Sequence, residues 1–258
     1  MKTAKIVSWN VNSVRQRLPN LLEFLASAQP DVLCLQELKC MEDNFPFMEI
    51  KAAGYEAVIV GQKSYNGVAI LTKAAVPAVL NTLGDEQSRY IEIDYAGVRV
   101  INIYAPNGNP IGTEKFTYKL DWLARLRARI ETLLNEGVPF VVTGDYNIIP
   151  EAADCYSPAA WVGDALYQPE SRAMYRTFIN MGLTDAVRMF APRDAGLYTF
   201  WDYQAGSWPQ NNGIRIDHFL MSPQVTDRCR GYQIYKDERG RENPSDHVPV
   251  EISITMPS

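Results

Sequence analysis

Polar side chains stand beside apolar runs at five points along this sequence, and nearly all of them carry a carboxylate or a carboxamide. One such junction is ordinary because strands have to end in polar turns. The residues concerned are Asn10 after "KIVSW", Glu37 after "DVLCLQ", Asp145 and Asn147 after "PFVVTG", Asp217 within "IRIDH", and Asp246 with His247 before "VPVEISI". Oxygen ligands of this kind suit Mg²⁺ or Mn²⁺ and do not suit zinc or copper. The set predicts a site for a hard divalent cation, with Mg²⁺ as the metal and Mn²⁺ as its substitute.

One of the two histidines, His247, lies directly after Asp246 in the stretch "PSDHVPV". An isolated Ser-Asp-His triplet is most simply a turn in which Ser245 and Asp246 bond the local backbone before a strand. The carboxylates and carboxamides at the other strand ends favour a functional role instead. The second histidine, His218, follows Asp217, and in a strand of period two its side chain points away from that of Asp217. We therefore predict a structural role for His218.

The elements that position these side chains are predicted to be short strands and a few helices. Several apolar runs alternate with period two, whereas "DVLCL" and "PFVV" are continuous, which is typical of strands covered on both faces. The predicted strands lie in "KIVSWN", "DVLCLQE", "YEAVIVG", "GVAILTK", "RYIEIDY", "VRVINIYA", "PFVVTGDYN", "YTFWDYQ", "IRIDHFLM" and "VPVEISI". Apolar residues at helical spacing predict helices over residues 18–28, 113–135 and 170–181, the third capped by Gly182. Many short strands with few helices predict an α/β protein of packed sheets flanked by helices.

Composition and charge narrow the class of protein. The 258 residues are 47% hydrophobic and no low-complexity linker divides them, so we expect a sizeable core and one domain over residues 1–258. The net charge of −5 argues against a protein that simply coats DNA or RNA. No apolar run approaches the roughly 20 residues of a membrane span. The four cysteines form no CxxC pair, and we expect a reduced, cytoplasmic protein with no membrane partner.

Six motifs, taken together, are similar to those of one enzyme family. They are "SWNVNS", "LQELK", "YAPNGNP" with "TEKFTYKLDW", "VTGDYNI", "NNGIRIDHFLMSP" and "PSDHVPV". Each motif alone is weak, but all six occur in family order between residues 5 and 254. The chain resembles the exonuclease III family of DNA-repair nucleases (AP endonuclease family 1), within the endonuclease/exonuclease/phosphatase superfamily.

The resemblance implies a four-layered α/β sandwich, in which two mixed β-sheets pack face to face between layers of helices. It also implies Mg²⁺-dependent hydrolysis of phosphodiesters, by 3′→5′ exonuclease, apurinic/apyrimidinic endonuclease and 3′-end-cleaning activities. The expected partner is double-stranded DNA with abasic sites or with damaged or recessed 3′ ends. The expected state of the protein is a monomer.

Cleavage of a phosphodiester requires a neutralised phosphoryl oxygen, a deprotonated water and a stabilised leaving group. By resemblance, Glu37 forms the metal pocket with Asp246 and Asn10 nearby. Asp145 matches the residue that activates water or protonates the leaving group, and Asn147 matches an amide donor to the pentacovalent transition state. The complete metal set implied by the resemblance is Asn10, Glu37, Asp145, Asn147, Asp246 and His247.

Asp217 and His247 are expected to act as an oriented pair. Asp217 would accept a hydrogen bond from one ring nitrogen and fix the tautomer, while the other nitrogen faces the scissile phosphate. The carboxylate also raises the pKa of the imidazole, so that a protonated His247 acts as an electrophile toward phosphate. Tyr104 in "YAPNG" would place its hydroxyl near the phosphate, supported by Asn107. The alternative for Tyr104 is a core aromatic at a strand end.

Basic side chains are predicted to contact DNA phosphates in spite of the acidic total. We assign Lys115, Lys119 and Arg215 to these contacts, and place Asn12 of "SWNVNS" among the substrate-binding residues. Three further arginines are expected on a solvated helix face, namely Arg125, Arg127 and Arg129.

The choice of DNA lesion is predicted from the walls of the pocket. Phe200 and Trp201 resemble the aromatic pair that lines the family's pocket for a base-less sugar, although such a pair in a strand is otherwise a core feature. Ile214 stands where some relatives carry Trp. Leu166 and Tyr167 occupy a loop where many relatives have a small residue before an aromatic. A branched Leu166 would obstruct a continuous duplex, so we expect 3′-end processing at least as strong as internal abasic cleavage.

Two other functions remain open from the sequence. The same fold and metal chemistry could serve a non-DNA phosphodiester or phosphomonoester, such as an inositol phosphate or a sphingolipid. Alternatively, the chain could be a catalytically silent DNA-binding domain, but that reading predicts the loss of some metal or His/Asp positions. All of those positions are present here.

Overall fold

In a computed structural model, residues 3–256 form two β-sheets that pack face to face, with helices against their outer faces. The strands are β1 (Thr3–Asn10), β2 (Val32–Gln36), β3 (Glu56–Val60), β4 (Val68–Thr72), β5 (Ala78–Leu80), β6 (Tyr90–Tyr95), β7 (Val98–Tyr104), β8 (Phe140–Asp145), β9 (Thr184–Asp185), β10 (Asp217–Met221), β11 (Cys229–Ile234) and β12 (Val250–Thr255). The helices are α1 (Leu18–Ala28), α2 (Phe47–Ala52), α3 (Glu114–Asn135), α4 (Pro158–Trp161), α5 (Pro169–Asn180), α6 (Ala186–Phe190) and α7 (Pro223–Thr226), with 3₁₀ turns at Glu42–Asn44, Ala152–Asp154 and Lys236–Gly240. Residues 1–2 and 257–258 are outside the described range.

Each sheet has six strands and contains one parallel pair. The strand order is β11-β12-β1-β2-β4-β3 in the first sheet and β5-β6-β7-β8-β10-β9 in the second. β1 and β2 run parallel in the first sheet, as do β7 and β8 in the second. The remaining neighbours are antiparallel. Both sheets are therefore mixed.

The central strands are apolar on both faces because both faces are covered. In β1, Ile6 joins the core between the two sheets, whereas Val7 joins the core shared with α1. In β8, Val141 faces the other sheet and Val142 belongs to the core shared with α3 and α5. This double burial explains the continuous apolar runs of the sequence. Helices, sheet, sheet and helices make four layers, and the predicted four-layered α/β sandwich is confirmed.

The three long helices occur where their periodicity predicted them. α1 has the predicted bounds, and α5 ends at Asn180 shortly before Gly182, whose φ of +106° suits glycine. α3 begins after Thr113, whose side chain accepts a hydrogen bond from Lys115 N at 3.3 Å as an N-cap. Within residues 3–256, no helix is long and apolar enough to span a membrane.

Three strands were not predicted, two of them very short, and one predicted strand is wrong. β5 and β9 have only three and two residues, and β11 has a register irregularity between Cys229 and Gly231 that breaks its alternation. In "YTFWDYQ" only Phe200 pairs, through isolated bridges to Ile214 and His247. Trp201 N donates to Asp246 O at 2.9 Å and Val248 N donates to Thr199 O at 2.9 Å, which are the two bonds of the bridge to His247.

A buried polar bridge joins the two sheets behind the site. Gln36 Nε2, at the end of β2, donates to Asn102 Oδ1 in β7 at 2.7 Å and to Ser8 Oγ at 3.1 Å. Asn102 Nδ2 donates in turn to Leu35 O at 2.9 Å and to Ala69 O at 2.8 Å, both in the first sheet. These bonds fix how one sheet lies over the other.

Candidate active site

The C-terminal ends of the two parallel strand pairs meet at one rim of the sandwich. In the first sheet, Asn10 at the end of β1 is in register with Gln36 at the end of β2. In the second, Tyr104 at the end of β7 is in register with Asp145 at the end of β8. Asp217, the first residue of β10, lies opposite Asp145 in the antiparallel ladder. The topology thus gathers side chains that are far apart in the sequence.

Unusual backbone geometry surrounds the acidic residues. Glu37 and Asn147 both have left-handed backbones, with φ of +53° and +49°, immediately after β2 and β8. Such conformations are uncommon outside glycine and cluster at functional sites. Gly144 allows β8 to approach β7 closely, since a Cβ atom there would lie 1.9 Å from Ile103 O. A glycine is therefore required one residue before Asp145.

One group of side chains has the composition of a cation site. Ligand atoms of Glu37, Asp145 and His247 all lie within 4.8 Å of one another. Asn10 Nδ2 donates to Glu37 Oε1 at 2.9 Å and to Asp145 Oδ2 at 3.0 Å, which holds the two carboxylates together. Lys39 Nζ lies 3.0 Å from Glu37 Oε2. Two adjacent carboxylates supported by donors fit a hard divalent cation.

Asp246 is connected to this group indirectly. Its Oδ1 accepts a hydrogen bond from Asn12 Nδ2 at 3.1 Å, and Asn12 Oδ1 accepts one from Lys39. Ser245 Oγ donates to Asn10 O at 2.7 Å, which ties the segment carrying Asp246 to the end of β1. A direct metal bond from Asp246 stays a prediction.

His247 lies between two carboxylates. Its Nδ1 is 2.9 Å from Asp217 Oδ2, and its Nε2 is 3.6 Å from Asp145 Oδ2. The same Asp217 oxygen accepts a hydrogen bond from Thr199 Oγ1 at 2.6 Å. The oriented pair expected from the sequence therefore has the required geometry, with Nε2 turned toward the cation group. Sequence reasoning missed Thr199, because nothing in "YTFW" distinguishes its hydroxyl from that of any strand threonine.

The charges of these groups depend on one another. Burial alone would lower the pKa of His247, but Asp217 and Asp145 outweigh it and raise the pKa to about 10. Burial raises the pKa of Asp145 to about 7, with His247 opposing the shift and Asp217 adding to it. Burial would also raise the pKa of Glu37, but Lys39 and Asn10 hold it below its usual value.

Tyr104 is half-buried at the rim of the site and packs against the core between the two sheets. Burial and the nearby carboxylates of Glu37 and Asp145 raise the pKa of its hydroxyl well above the usual value. The phenol therefore keeps its proton and remains a donor. The guanidinium of Arg89 lies over the ring of Tyr104, 4.8 Å from its centroid, in a cation–π contact.

Two carboxamides complete the rim. Asn147 N donates to Asp145 Oδ1 at 2.9 Å, and Asn147 Nδ2 donates to Ala105 O at 2.9 Å. Asn107 Nδ2 lies 3.4 Å from Asn147 Oδ1. Asn107 itself is exposed, so it is placed to meet a ligand.

Three side chains predicted to contact substrate are buried instead. Lys119 is fully buried, with its ammonium on main-chain carbonyls of the protein. Arg215 is 1% exposed and pairs with Asp154 at 2.6 Å and with Asp185 at 2.9 Å. Trp201 is fully buried in a small core cluster. These predictions are wrong because each side chain is enclosed by the protein and has no surface to offer to DNA.

Other predicted contacts remain accessible. Lys115 is exposed beside a cavity of about 520 Å³ whose lining includes Asn66, Arg89 and Asn107. Phe200 is half-buried, and its ring lies 5.0 Å from that of His247. An aromatic wall beside the histidine is therefore present, but Phe200 forms it without Trp201.

The arginines of α3 differ from the expected solvated face. Arg125 Nη2 lies 3.1 Å from Asp85 Oδ2, and Arg129 Nη2 lies 2.6 Å from Glu92 Oε1, a buried carboxylate. Only Arg127 of the three is exposed. Arg129 connects α3 to β6, and Arg125 connects it to the loop between β5 and β6.

Leu166 cannot obstruct DNA directly, contrary to the expectation from its loop. It is 4% exposed and packs with Ile149, Ile214 and Ile216 in a small core cluster. Tyr167 is half-buried and lies under the guanidinium of Arg172, 4.6 Å from the ring centroid. Tyr167 and Phe200 both pack against the cluster that contains Leu166.

Two mixed sheets in a four-layered sandwich, with carboxylates and an Asp–His pair at the rim, define a class of phosphoester hydrolases. The sequence profile of the Endonuclease/Exonuclease/phosphatase family matches residues 7–247, and the chain belongs to this family. The chain is 33% identical over 261 residues to the exodeoxyribonuclease III of Haemophilus influenzae, covering 95% of this chain and 98% of that protein.

Solved structures agree with this assignment. The 3′ phosphatase NExo from Neisseria, bound to a product DNA hairpin, superposes with a TM-score of 0.92 at 38% identity, covering 98% of this chain and 99% of that chain. An AP endonuclease from Archaeoglobus fulgidus superposes with a TM-score of 0.92 at 33% identity, covering 98% and 100%. The resemblance to the exonuclease III family and the prediction of an ester hydrolase are confirmed.

Proposed function

We propose that this protein is a Mg²⁺-dependent DNA-repair phosphodiesterase of the exonuclease III type, acting on double-stranded DNA. The observation that carries the proposal is the placement of His247 Nε2 beside the Glu37–Asp145 group, with Nδ1 held by Asp217. A protonated donor and a cation site on one side of a cleft are what a phosphodiester needs for cleavage.

Glu37 and Asp145 would hold the cation, and Asn10 keeps their carboxylates in place. When bound, the cation supplies charge neutralisation at a phosphoryl oxygen and lowers the pKa of a water molecule. We also retain Asp246 and Asn147 as proposed ligands, but not His247, because a protonated imidazole has no lone pair to offer a metal. Mg²⁺ and Mn²⁺ are the metals that this oxygen-rich set favours.

The protein's own groups supply the remaining steps. With a pKa of about 10, His247 is protonated at neutral pH, so Nε2 donates to a phosphate oxygen. Asp145 Oδ2 lies 3.6 Å from His247 Nε2, and Asp145 is our candidate for proton transfer to or from water or the leaving oxygen. Tyr104 and Asn147 donate from the other side of the rim.

The proposed substrate is duplex DNA with abasic sites or with damaged or recessed 3′ ends. Three of the relatives support DNA as the substrate by name, namely an exodeoxyribonuclease III, a 3′ phosphatase bound to a DNA hairpin and an AP endonuclease. Since 38% identity links the chain to the 3′ phosphatase, we propose 3′-end processing at least as strong as abasic incision. Phe200, Asn107, Asn12 and Lys115 are the proposed substrate contacts. A single domain, a monomer and a cytoplasmic location remain proposals.

The test is an assay on three matched duplexes, carrying an abasic site, a recessed 3′ end or a 3′-phosphate, after removal of metal and with Mg²⁺ restored. We expect cleavage only with Mg²⁺, and trimming of ends at least as fast as abasic incision. Full activity in excess EDTA would refute the metal dependence. Activity on non-DNA phosphoesters without cleavage of any duplex would refute the DNA assignment.

Metal binding is tested separately with Glu37→Gln. We expect the Mg²⁺ concentration for half-maximal activity to rise at least about tenfold, while the unfolding temperature changes little, since Glu37 is a rim residue. Glu42→Gln, which removes an exposed carboxylate outside the site, is the matched control. Equal Mg²⁺ curves for the two variants would remove Glu37 from the metal site.

A further inference from the structure

Lys119 is a lysine in a place where lysines are rarely found. It lies on the buried side of α3 with Trp122, Leu123 and Leu126, and none of its surface is exposed. Burying an ammonium group is costly unless it is well hydrogen-bonded. Burial lowers the pKa of Lys119 from 10.5 to about 7. An apolar side chain would pack in the helix without this cost, so the hydrogen-bond donors of the lysine have another reason to be there.

The partners of the ammonium are two backbone carbonyls of the rim. Lys119 Nζ donates to Asn107 O at 3.0 Å and to Asn147 O. Asn107 belongs to the loop after β7, and Asn147 belongs to the loop after β8. One side chain therefore bridges the two loops whose carboxamides lie at the site, and whose own side chains are 3.4 Å apart.

The loop after β7 is shaped around the lysine. Gly108 has a φ of +88°, and a Cβ atom at this position would lie 2.6 Å from Lys119 Cδ and 3.2 Å from Lys119 Cβ. The backbone of the loop thus packs directly on the aliphatic part of the side chain. Asn147 is held in a left-handed conformation with φ of +49° on the other side. The lysine lies between the two loops, and its terminal nitrogen is bonded to both.

We propose that Lys119 is a positioning residue, whose terminal nitrogen holds the main chains at Asn107 and Asn147 and so keeps both carboxamides in place at the rim of the site. This inference rests on the proposed roles of those two asparagines. It predicts that Lys119 affects the chemical step without touching the substrate, in contrast to a phosphate contact, whose loss would mainly weaken DNA binding.

Lys119→Met keeps the length and apolar body of the side chain and removes the donors. On a duplex with a recessed 3′ end we expect kcat to fall by about a hundredfold, the loss typical of a misplacement of about 1 Å, with KM little changed. Lys119→Arg keeps a charge with several donors and should recover part of the loss. A fall confined to KM, or no recovery with arginine, would overturn the proposal.

Two controls separate positioning from general effects. Arg127→Met removes a positive charge from the exposed side of α3 and should leave kcat and KM unchanged. Leu126→Ala removes buried contacts about two turns further along the same face of α3, and should lower the unfolding temperature while the folded enzyme retains kcat. If Leu126→Ala lowers kcat as much as Lys119→Met at equal loss of stability, Lys119 is merely structural.

Amide hydrogen exchange gives a readout independent of activity. Lys119→Met should speed exchange in residues 105–110 and 146–150 together, and Arg127→Met should not. Unchanged exchange in both loops would overturn the inference, whether or not the wild type cleaves DNA. A wild type that cleaves no DNA would refute only the proposed function. If Lys119→Met does not fold, Gly108→Ala takes its place, because its methyl group would displace the lysine side chain. The same two loops should then loosen and kcat should fall, and normal values would refute the proposal.

Discussion

At the scale of single residues, the site depends on neighbours that support the reacting groups without reacting themselves. Thr199 and His247 both donate to Asp217 Oδ2, and among the described residues the other oxygen of this carboxylate has no hydrogen-bond partner. Asn10 supports two acids at once, because its amide nitrogen donates to Glu37 and to Asp145. Asp217 is therefore oriented through one oxygen. Glu37 and Asp145 are held through both oxygens, because Lys39 lies beside Glu37 Oε2 and Asn147 N donates to Asp145 Oδ1.

The pairing of Asp217 with His247 predicts non-additive defects. We expect Asp217→Asn and His247→Asn each to lower kcat by at least about a hundredfold, because either change removes the oriented imidazolium. The double variant should be scarcely worse than either single one, since groups acting as a unit are lost together. Steady-state rates of the four proteins complete the cycle. Defects that multiply would mean that the two residues act separately.

His218 predicts a dependence of stability on pH. Its Nε2 bonds Ile148 O at 2.9 Å between the rings of Tyr146 and Tyr175, and burial, assisted by Arg215, lowers its pKa from 6.5 to about 4. Between these values the unfolded chain binds a proton that the folded protein refuses. The free energy of unfolding therefore falls as pH decreases from 6.5 to 4, by up to about 3 kcal/mol from this residue.

The measurement is urea unfolding of the wild type and of His218→Gln at several pH values between 4 and 7. Glutamine keeps a donor for Ile148 O but does not titrate, so the stability of the variant should depend less on pH in this window. If the two stability curves run parallel from pH 6.5 to 4, protonation of His218 is not coupled to unfolding.

At the scale of elements, the site exists because two sheets are held in one alignment. Asn10 belongs to the first sheet, and Asp145 belongs to the second. A small slide of one sheet over the other would separate the carboxylates that Asn10 joins. The buried bridge between Gln36 and Asn102 lies directly behind these strand ends and resists such a slide.

We predict that Asn102→Ala lowers the free energy of unfolding by about 1–3 kcal/mol, because it leaves buried polar groups of the first sheet without a partner. The double change Asn102→Leu with Gln36→Leu replaces both polar side chains and should recover much of the loss. Urea unfolding measures both effects. If the double variant loses as much free energy of unfolding as the two single substitutions added together, the two side chains do not act as a unit.

The sequence predicted the elements that carry chemistry better than the residues that support them. The apolar runs before Asn10, Glu37 and Asp145 are buried on both faces. Runs of this kind can be recognised from the sequence alone. The two-residue β9 and the irregular β11 have no comparable pattern. Lys119 and Arg215 were predicted to contact DNA because a sequence shows that a side chain is charged but not that it is buried. Their burial depends on residues distant in the sequence, such as Asp154 in the case of Arg215.

At the scale of the whole molecule, the distribution of charge matters more than its total. A net charge of −5 repels DNA at long range. Arg89 and Lys115 line the cavity beside Asn107, so positive charge is available next to the site. Binding should therefore rest on a few local phosphate contacts, and it should be sensitive to salt.

We predict that the logarithm of the DNA association constant falls linearly with the logarithm of salt concentration, by about 0.9 for each phosphate neutralised. Lys115→Ala should weaken binding equally for all sequences and reduce the slope by about 1. Arg127→Ala removes the same charge from the exposed side of α3, and its slope should match the wild type. Binding titrations at four salt concentrations suffice. A Lys115→Ala slope equal to that of the wild type would place the phosphates elsewhere.

The pairing of β1 with β12 in the first sheet has a consequence for synthesis on the ribosome. β1 pairs with β12 along its length, with Thr3 opposite Thr255, and His247 lies just before that last strand. A nascent chain that already carries Asn10, Glu37 and Asp145 still lacks both the imidazole and the strand that aligns it. With the role proposed for His247, nucleolytic competence is acquired at a late stage of translation, and an interrupted chain leaves an inert fragment rather than an unregulated nuclease.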